Sequence, residues 1–228
     1  MRLESVKNAV ADKINGLYFP SWSFSADTKN YYSGTLGEDY TVTVTNSDGT
    51  TSTETHTRWF NVSGNIDASY RDFLVPSGKI IPKSAITALG TYPLNTAKPY
   101  TQEYLAGRSA EHYSRDIKVC FSEFENYIYS DLCLRIKRLY KADHLGKMNI
   151  TTSYSKKQFN YILLPAYTAN FQYNNKNYNF YINGTTGKIT GAYPKSGWKI
   201  FFTIFGIAAA VAAAVIAVIA IAAAVIGA

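Results

Sequence analysis

The sequence predicts an α+β fold: antiparallel meander sheets with one long amphipathic helix, followed by a C-terminal single-pass transmembrane helix. Three observations predict it. Aromatic and Thr/Val-rich runs alternate with period two, as half-buried strands do. One long stretch switches to the helical period, with Ile117, Phe121, Phe124, Ile128, Leu132, Ile136 and Leu139 along one face. The last 29 residues, Ile200 to Ala228, carry no charge, and Thr203 is their one polar residue. A spanning helix needs about 20 apolar residues, so this run crosses a bilayer once and is too short to cross twice.

The elements follow in order. Residues 4–15, ESVKNAVADKIN, read as a short helix ended by Gly16. In LYFPSWSFSAD, Phe19, Trp22 and Phe24 are mixed with serines as in a strand, and Asp27 to Asn30 has the residue types of a hairpin turn. A strand with Tyr31 and Tyr32 should follow, then one in which Val42 and Val44 alternate with Thr. Ser47-Asp48-Gly49 is a strong turn signal, and Thr55 to Val62 makes the return strand. The stretch from Asp72 to Gly107 is broken by prolines and reads as a long connection with a short helix near Lys83–Leu89. The long helix should span about Gly107 to Ala142, with Arg115, Lys118, Glu125, Lys137, Arg138 and Lys141 opposite the apolar stripe. Beyond Gly146, NITTSYS, FNYILLPAYTANFQY, NYNFYING and GKITGAYP give three to four strands, turned at Asn174-Asn175 and Gly184 to Gly187.

These elements divide the chain into residues 1–102 (helix plus β-meander with a Pro-rich connection), 103–198 (long helix plus β-meander) and 199–228 (anchor). The first and last meanders share a pattern: Pro, an aromatic two residues on, a polar turn, and a Tyr-rich strand ending at Gly. Either two duplicated helix-plus-meander units or the common composition of aromatic hairpins produces it. About 200 residues suffice for one or two cores.

Charge sets the expected location. The formal net charge is +7, yet no Asp or Glu occurs from Leu145 onward, where Lys147, Lys156, Lys157, Lys176, Lys188, Lys195 and Lys199 lie. Lys195 and Lys199 flank the apolar run, and Trp198 suits the interfacial belt. Cations on that side place the domain in the cytoplasm, with anionic headgroups as the lysines' partners. The first 16 residues carry charges where a signal peptide needs an apolar core. The sequons at Asn61, Asn149 and Asn183 then have no consequence.

Residues that could carry chemistry are few. Cys120 and Cys133 stand too far apart on one helix to bridge, and with His56, His112 and His144 they form no metal-ligand spacing, so no cofactor is expected. Gly184-Thr185-Thr186-Gly187-Lys188-Ile189 is two residues short of a P-loop and lacks its hydroxyl after Lys. It reads as a hairpin turn, with Gly184 or Gly187 supplying positive φ and Asn183 bonding the local backbone. Glu111-His112 near Asp116 suggests acid–base work, but a His–Asp pair four apart on an exposed helix is the commoner cause. Ser77, Ser84 and Ser109 lack the glycine elbow of a nucleophile. Basic and aromatic residues interleave in SYSKKQFNY and QYNNKNYNFY, as in single-strand nucleic-acid binders and equally in strands with a solvated face.

Several motifs resemble, in their order, a known bacterial group. They are Gly16-Leu17-Tyr18-Phe19-Pro20-Ser21-Trp22, Leu74-Val75-Pro76-Ser77, Pro99-Tyr100 with Tyr104-Leu105-Ala106-Gly107, and Ala110-Glu111-His112-Tyr113. The sharpest is Leu163-Leu164-Pro165-Ala166-Tyr167 followed by Tyr178 to Lys188. Together they are similar to the membrane-associated proteins labelled TFIIB-type zinc-ribbon or primosomal helicase-like. The resemblance implies a membrane protein and imports no enzymatic activity. The family's paired CxxC ribbon is absent here, so metal and ribbon-borne nucleic-acid binding are not implied.

The expected function is therefore a non-enzymatic, membrane-anchored cytoplasmic adaptor or scaffold with a protein partner. Nucleic-acid binding through basic Tyr-rich hairpins is the alternative, and an enzyme comes last. Lys195, Trp198 and Lys199 form the membrane interface. Lys156, Lys157, Tyr173, Lys176, Tyr178 and Lys188 form the candidate partner surface.

Overall fold

The structure, a computed structural model, describes residues 14–173 and 176–192 together with Phe205, Gly206 and Ala209. It is α+β. Strands β1 (Asn15–Thr45) and β2 (Thr51–Pro76) are followed by helix α1 (Lys83–Leu89) and two short 3-10 turns (Leu94–Thr96, Gln102–Leu105). Then come β3 (Ser109–Ala110), helix α2 (Ile117–Leu139), β4 (His144–Tyr173), β5 (Lys176–Asn183) and β6 (Ile189–Gly191). The sheet runs β2-β1-β4-β5-β6, and β3 adds a two-residue parallel pairing to β1 at Leu17 and Tyr18. The β4–β5 and β5–β6 pairs are antiparallel. The helix expected over residues 4–15 lies outside the described residues, except that Ile14 belongs to no helix and Asn15 already belongs to β1. The expected anchor also lies outside them apart from Phe205, Gly206 and Ala209, which are helical. Among the described residues no helix is long and apolar enough to cross a membrane.

The expected turn at Asp27–Asn30 is absent, and β1 runs through it for 31 residues. These polar residues have partners across the sheet. Thr28 Oγ1 donates to Ala68 O at 3.1 Å, and Asn30 Nδ2 donates to Ile66 O at 2.8 Å and to Thr28 Oγ1 at 3.0 Å. A buried polar side chain that finds a cross-strand acceptor has no need to turn the chain. Likewise β4 fuses two expected strands, passing through Lys156 at φ 48°. Asp72 in β2 has φ 53°. Strands this long, against the usual 3–10 residues or so, accommodate twist and bend at such irregular positions.

The long helix is shorter than its periodic pattern. It begins at Ile117, because residues 107–116 are held otherwise: Gly107 has φ 71°, and Glu111 N donates to Tyr18 O at 2.9 Å. His112 and Asp116 therefore do not share a helix. The apolar stripe holds at Phe124, Ile128, Leu132 and Ile136, joined by Cys120 and Cys133 as buried free thiols. Leu139, at the helix end, is instead 64% exposed.

The chain forms two compact units. One comprises Met1–Trp22, Pro76–Asp116 and Tyr161–Ala228, and the other Ser23–Val75 and Ile117–Asn160. In the second, α2 covers one sheet face. Phe124 stacks on Phe24 at 5.6 Å and on Phe73 at 5.4 Å, with Tyr70 edge-on at 6.1 Å. Further along, Tyr32, Leu36, Val62, Cys133, Ile136, Ala142 and Met148 form one cluster. Even-numbered residues of β1 from Phe24 to Leu36 point mostly inward, so the odd-numbered ones face away from α2. Beyond Gly37 the β1–β2 ribbon is largely exposed; Val42 and Val44 alternate with Thr as expected, but nothing among the described residues buries them fully.

In the first unit the core holds Leu17, Phe19, Ile81, Leu89, Tyr92, Leu164, Phe180 and Ile182, and α1 sits against β5 and β6. The β5–β6 turn is tied by Asn183. Its Oδ1 accepts from Thr185 N at 2.9 Å and Thr186 N at 3.0 Å, and its Nδ2 donates to Leu89 O and Thr91 O, each at 3.3 Å. Gly187 supplies the positive φ, 70°. This is the hairpin turn expected there.

Candidate functional site

The residues expected to face a partner fall on both units. In one, Lys176 pairs with Tyr173 and Tyr178 with Phe171, the expected turn at Asn174-Asn175 lying outside the described residues, and exposed Lys188 lies beside Gly90. In the other, Lys156 reaches Asp27 at 3.2 Å and Lys157 sits over the Phe121 ring at 5.9 Å. Asp27 also pairs with Arg71 and accepts from Ser69 Oγ at 2.8 Å. The Arg71 hydrogen bond, with those of Ser69 and Lys156, holds the Asp27 carboxyl at about 2. Lys195, Trp198 and Lys199 lie outside the described residues.

The suggested acid–base group does structural work. Glu111 Oε1 accepts from the Lys79 amide and from Ile80 N at 3.0 Å, clamping the loop after β2. His112 Nδ1 lies 3.0 Å from Tyr113 O. Ser77 O, in the same loop, accepts from Ser114 N at 2.8 Å and Ser114 Oγ at 3.0 Å. Trp22, Tyr113 and Tyr161 pack edge to face beside it, with centroids 5.2–5.9 Å apart, too close to admit a ligand between the rings. Arg108 lies 5.6 Å from the Tyr18 ring centroid and 5.9 Å from that of Tyr167, donating to Tyr18 Oη at 2.8 Å.

The sheet face of the second unit that looks away from α2 carries a shallow open groove of about 490 Å³. It is lined by Tyr31, Ser33, Gly34 and Thr35 of β1, Asn61, Val62 and Ser63 of β2, and Lys147 and Asn149 of β4. Trp59 stands next to Asn61 in the outward register. Its ring lies over two glycines, one on the adjacent strand β1 and one on β4 beyond it: a Cβ at Gly37 would sit 3.2 Å from Trp59 Cζ3, and one at Gly146 3.0 Å. The glycines make room for an indole that stays 54% exposed, and Tyr31 is 53% exposed. Close by, His144 Nε2 meets Asp39 Oδ2 at 2.8 Å, and Thr57 Oγ1 donates to Asp39 Oδ1 at 2.7 Å. These bonds, that of Thr57 foremost, lower the Asp39 carboxyl.

Sequence reasoning missed this groove. Its signal was the outward period-two series Tyr31-Ser33-Thr35, Trp59-Asn61-Ser63 and Lys147-Asn149, legible only once the three strands are known to be neighbours.

Comparison with known proteins gives one distant relative to report. No family model matches the chain, and no solved structure matches it. It is 24% identical over 214 residues to the uncharacterised protein YdjG of Bacillus subtilis (strain 168), a match covering 86% of this chain and 56% of that protein. The chain thus spans just over half the length of that relative, with which it shares a distant homology.

Proposed function

We propose that this chain is a non-enzymatic adaptor or scaffold, anchored in a membrane by one C-terminal helix, with its folded part in the cytoplasm. One observation carries the proposal: the 29-residue uncharged run from Ile200, with Lys195 and Lys199 before it, attached to a domain rich in exposed aromatic side chains. Exposed Tyr and Trp on a rigid sheet supply large contact areas at low entropic cost, which suits a protein partner. Anionic headgroups are the lysines' expected lipid partners. Kinship with the zinc-ribbon membrane proteins belongs to this proposal and rests on the ordered motifs from Gly16 to Lys188. So does descent from two helix-plus-meander units.

The nucleic-acid alternative draws on the Tyr- and Lys-rich strands. Lys156 engages Asp27 and Lys157 engages the Phe121 ring, which lowers what either offers a phosphate. Protease treatment of sealed membrane vesicles of both orientations tests the proposal. The folded part should be digested only where the cytoplasmic face is outward. Digestion in the opposite vesicles would overturn the orientation, and residue-specific cross-linking from Tyr178 and Lys188 that yields only nucleic acid would overturn the adaptor role.

A further inference from the structure

We propose that the groove lined by Tyr31, Asn61 and Asn149, with exposed Trp59 beside it, binds a neutral oligosaccharide chain, a role beyond the adaptor function. The groove's chemistry selects this class. Among its lining residues Lys147 is the single charged group; the rest offer the hydroxyls of Ser33, Thr35 and Ser63 and the amides of Asn61 and Asn149. A nucleic-acid strand needs several cations along its track, and this groove has one. A hydrophobic peptide needs apolar pockets, and Val62 is the one aliphatic residue in the lining. Amides and hydroxyls that both donate and accept match a chain of sugar hydroxyls.

The aromatic placement agrees. Thr57 bonds Asp39 and Ser69 bonds Asp27, which sets the β1–β2 register and puts Trp59 opposite Gly37, six residues along β1 from Tyr31. At about 3.3 Å per residue the two rings stand roughly 20 Å apart along the strands, with the amides between them. Exposed rings at the ends and hydrogen-bonding groups between form an extended track for a linear polyhydroxylated chain. The Trp59 ring is pre-positioned by its seat on Gly37 and Gly146, so little ordering is required on binding.

The test is calorimetry on the full chain, held in a detergent without sugar headgroups, with chitohexaose and maltohexaose as probes and a short oligothymidylate as control. At least one hexasaccharide should bind, with an affinity that salt changes by less than about twofold, because no counterions are released. Trp59→Ala and Tyr31→Ala should each weaken it by about tenfold or more, as removal of an aromatic anchor does, and Trp59→Phe should restore most of the loss. Melting of each variant within a few degrees of the parent would show that the fold survives. Failure of both hexasaccharides to bind, or binding indifferent to both Trp59→Ala and Tyr31→Ala, would overturn the proposal. Salt-sensitive binding of oligothymidylate alone would overturn it too, in favour of the nucleic-acid reading. None of these outcomes depends on the membrane anchor, so the proposal stands or falls apart from it.

Discussion

Replacing Asn183 with Ala probes how a single side chain holds the β5–β6 turn to the end of α1 and the residues just after it. Asn183 is fully buried and uses both ends of its amide. Alanine removes two acceptor bonds to the turn amides of Thr185 and Thr186, at 2.9 and 3.0 Å, and two longer donor bonds to Leu89 O and Thr91 O, both 3.3 Å. The two short bonds are worth about 1 kcal/mol each, and leaving the Leu89 carbonyl buried without its donor adds about 1–2 kcal/mol. The expected loss is about 3–4 kcal/mol. For a chain of this size that lowers the melting temperature by roughly 6–15 °C. Asn183→Asp separates the two halves: its oxygens still accept from Thr185 and Thr186, but one now faces the Leu89 and Thr91 carbonyls. Urea denaturation of the chain ending after Lys199, followed by tryptophan fluorescence and by far-UV circular dichroism, measures both. A loss below about 1 kcal/mol for the alanine variant would refute the assignment of Asn183 as the tie. Equal stability of the aspartate variant and the parent would show that the donor bonds contribute nothing.

Other perturbations follow from the same structure. Phe124→Ala removes the ring on which Phe24, Tyr70 and Phe73 converge and should cost about 3–5 kcal/mol in the same titration. Gly34→Ala would place a methyl 2.9 Å from the Met148 Cα, and forcing β1 and β4 apart should cost about 1–3 kcal/mol. The Asp27 carboxyl is lowered from 3.8 to about 2, so its stabilising effect is complete above the unfolded value and disappears as pH falls from about 4 to 2. Asp27→Asn should flatten that part of the acid limb and leave the alkaline side unchanged. Both cysteines are buried and burial raises the Cys133 thiol, so a thiol reagent should label them only at the rate of unfolding; fast labelling of the native protein would contradict the packing of α2.

What the sequence made legible was what local rules decide. Pro82 before Lys83 and Gly90 after Leu89 bound α1 where the pattern puts it. Ser47-Asp48-Gly49 turns, and Asn183 bonds its own turn because an Asx side chain reaches the amides two and three residues on. Tertiary partners decided the rest. Asp27 to Asn30 looks like a turn in isolation and becomes strand because Ala68 O and Ile66 O wait opposite. Residues 107–116 fit a helical pattern but are claimed by β1 and by the loop that Glu111 clamps. The groove was illegible for the same reason. Trp59, Tyr31 and Lys147 are far apart in the chain, and only the strand order β2-β1-β4 brings them to one face.

Extraction of cell membranes with alkaline carbonate, applied to the full chain and to a form ending after Lys199, tests the central claim most directly. The full chain should remain in the pellet through carbonate and high salt, and the shortened form should stay in the supernatant. A full chain that is released by salt alone, or that never sediments with membranes, would contradict the anchor.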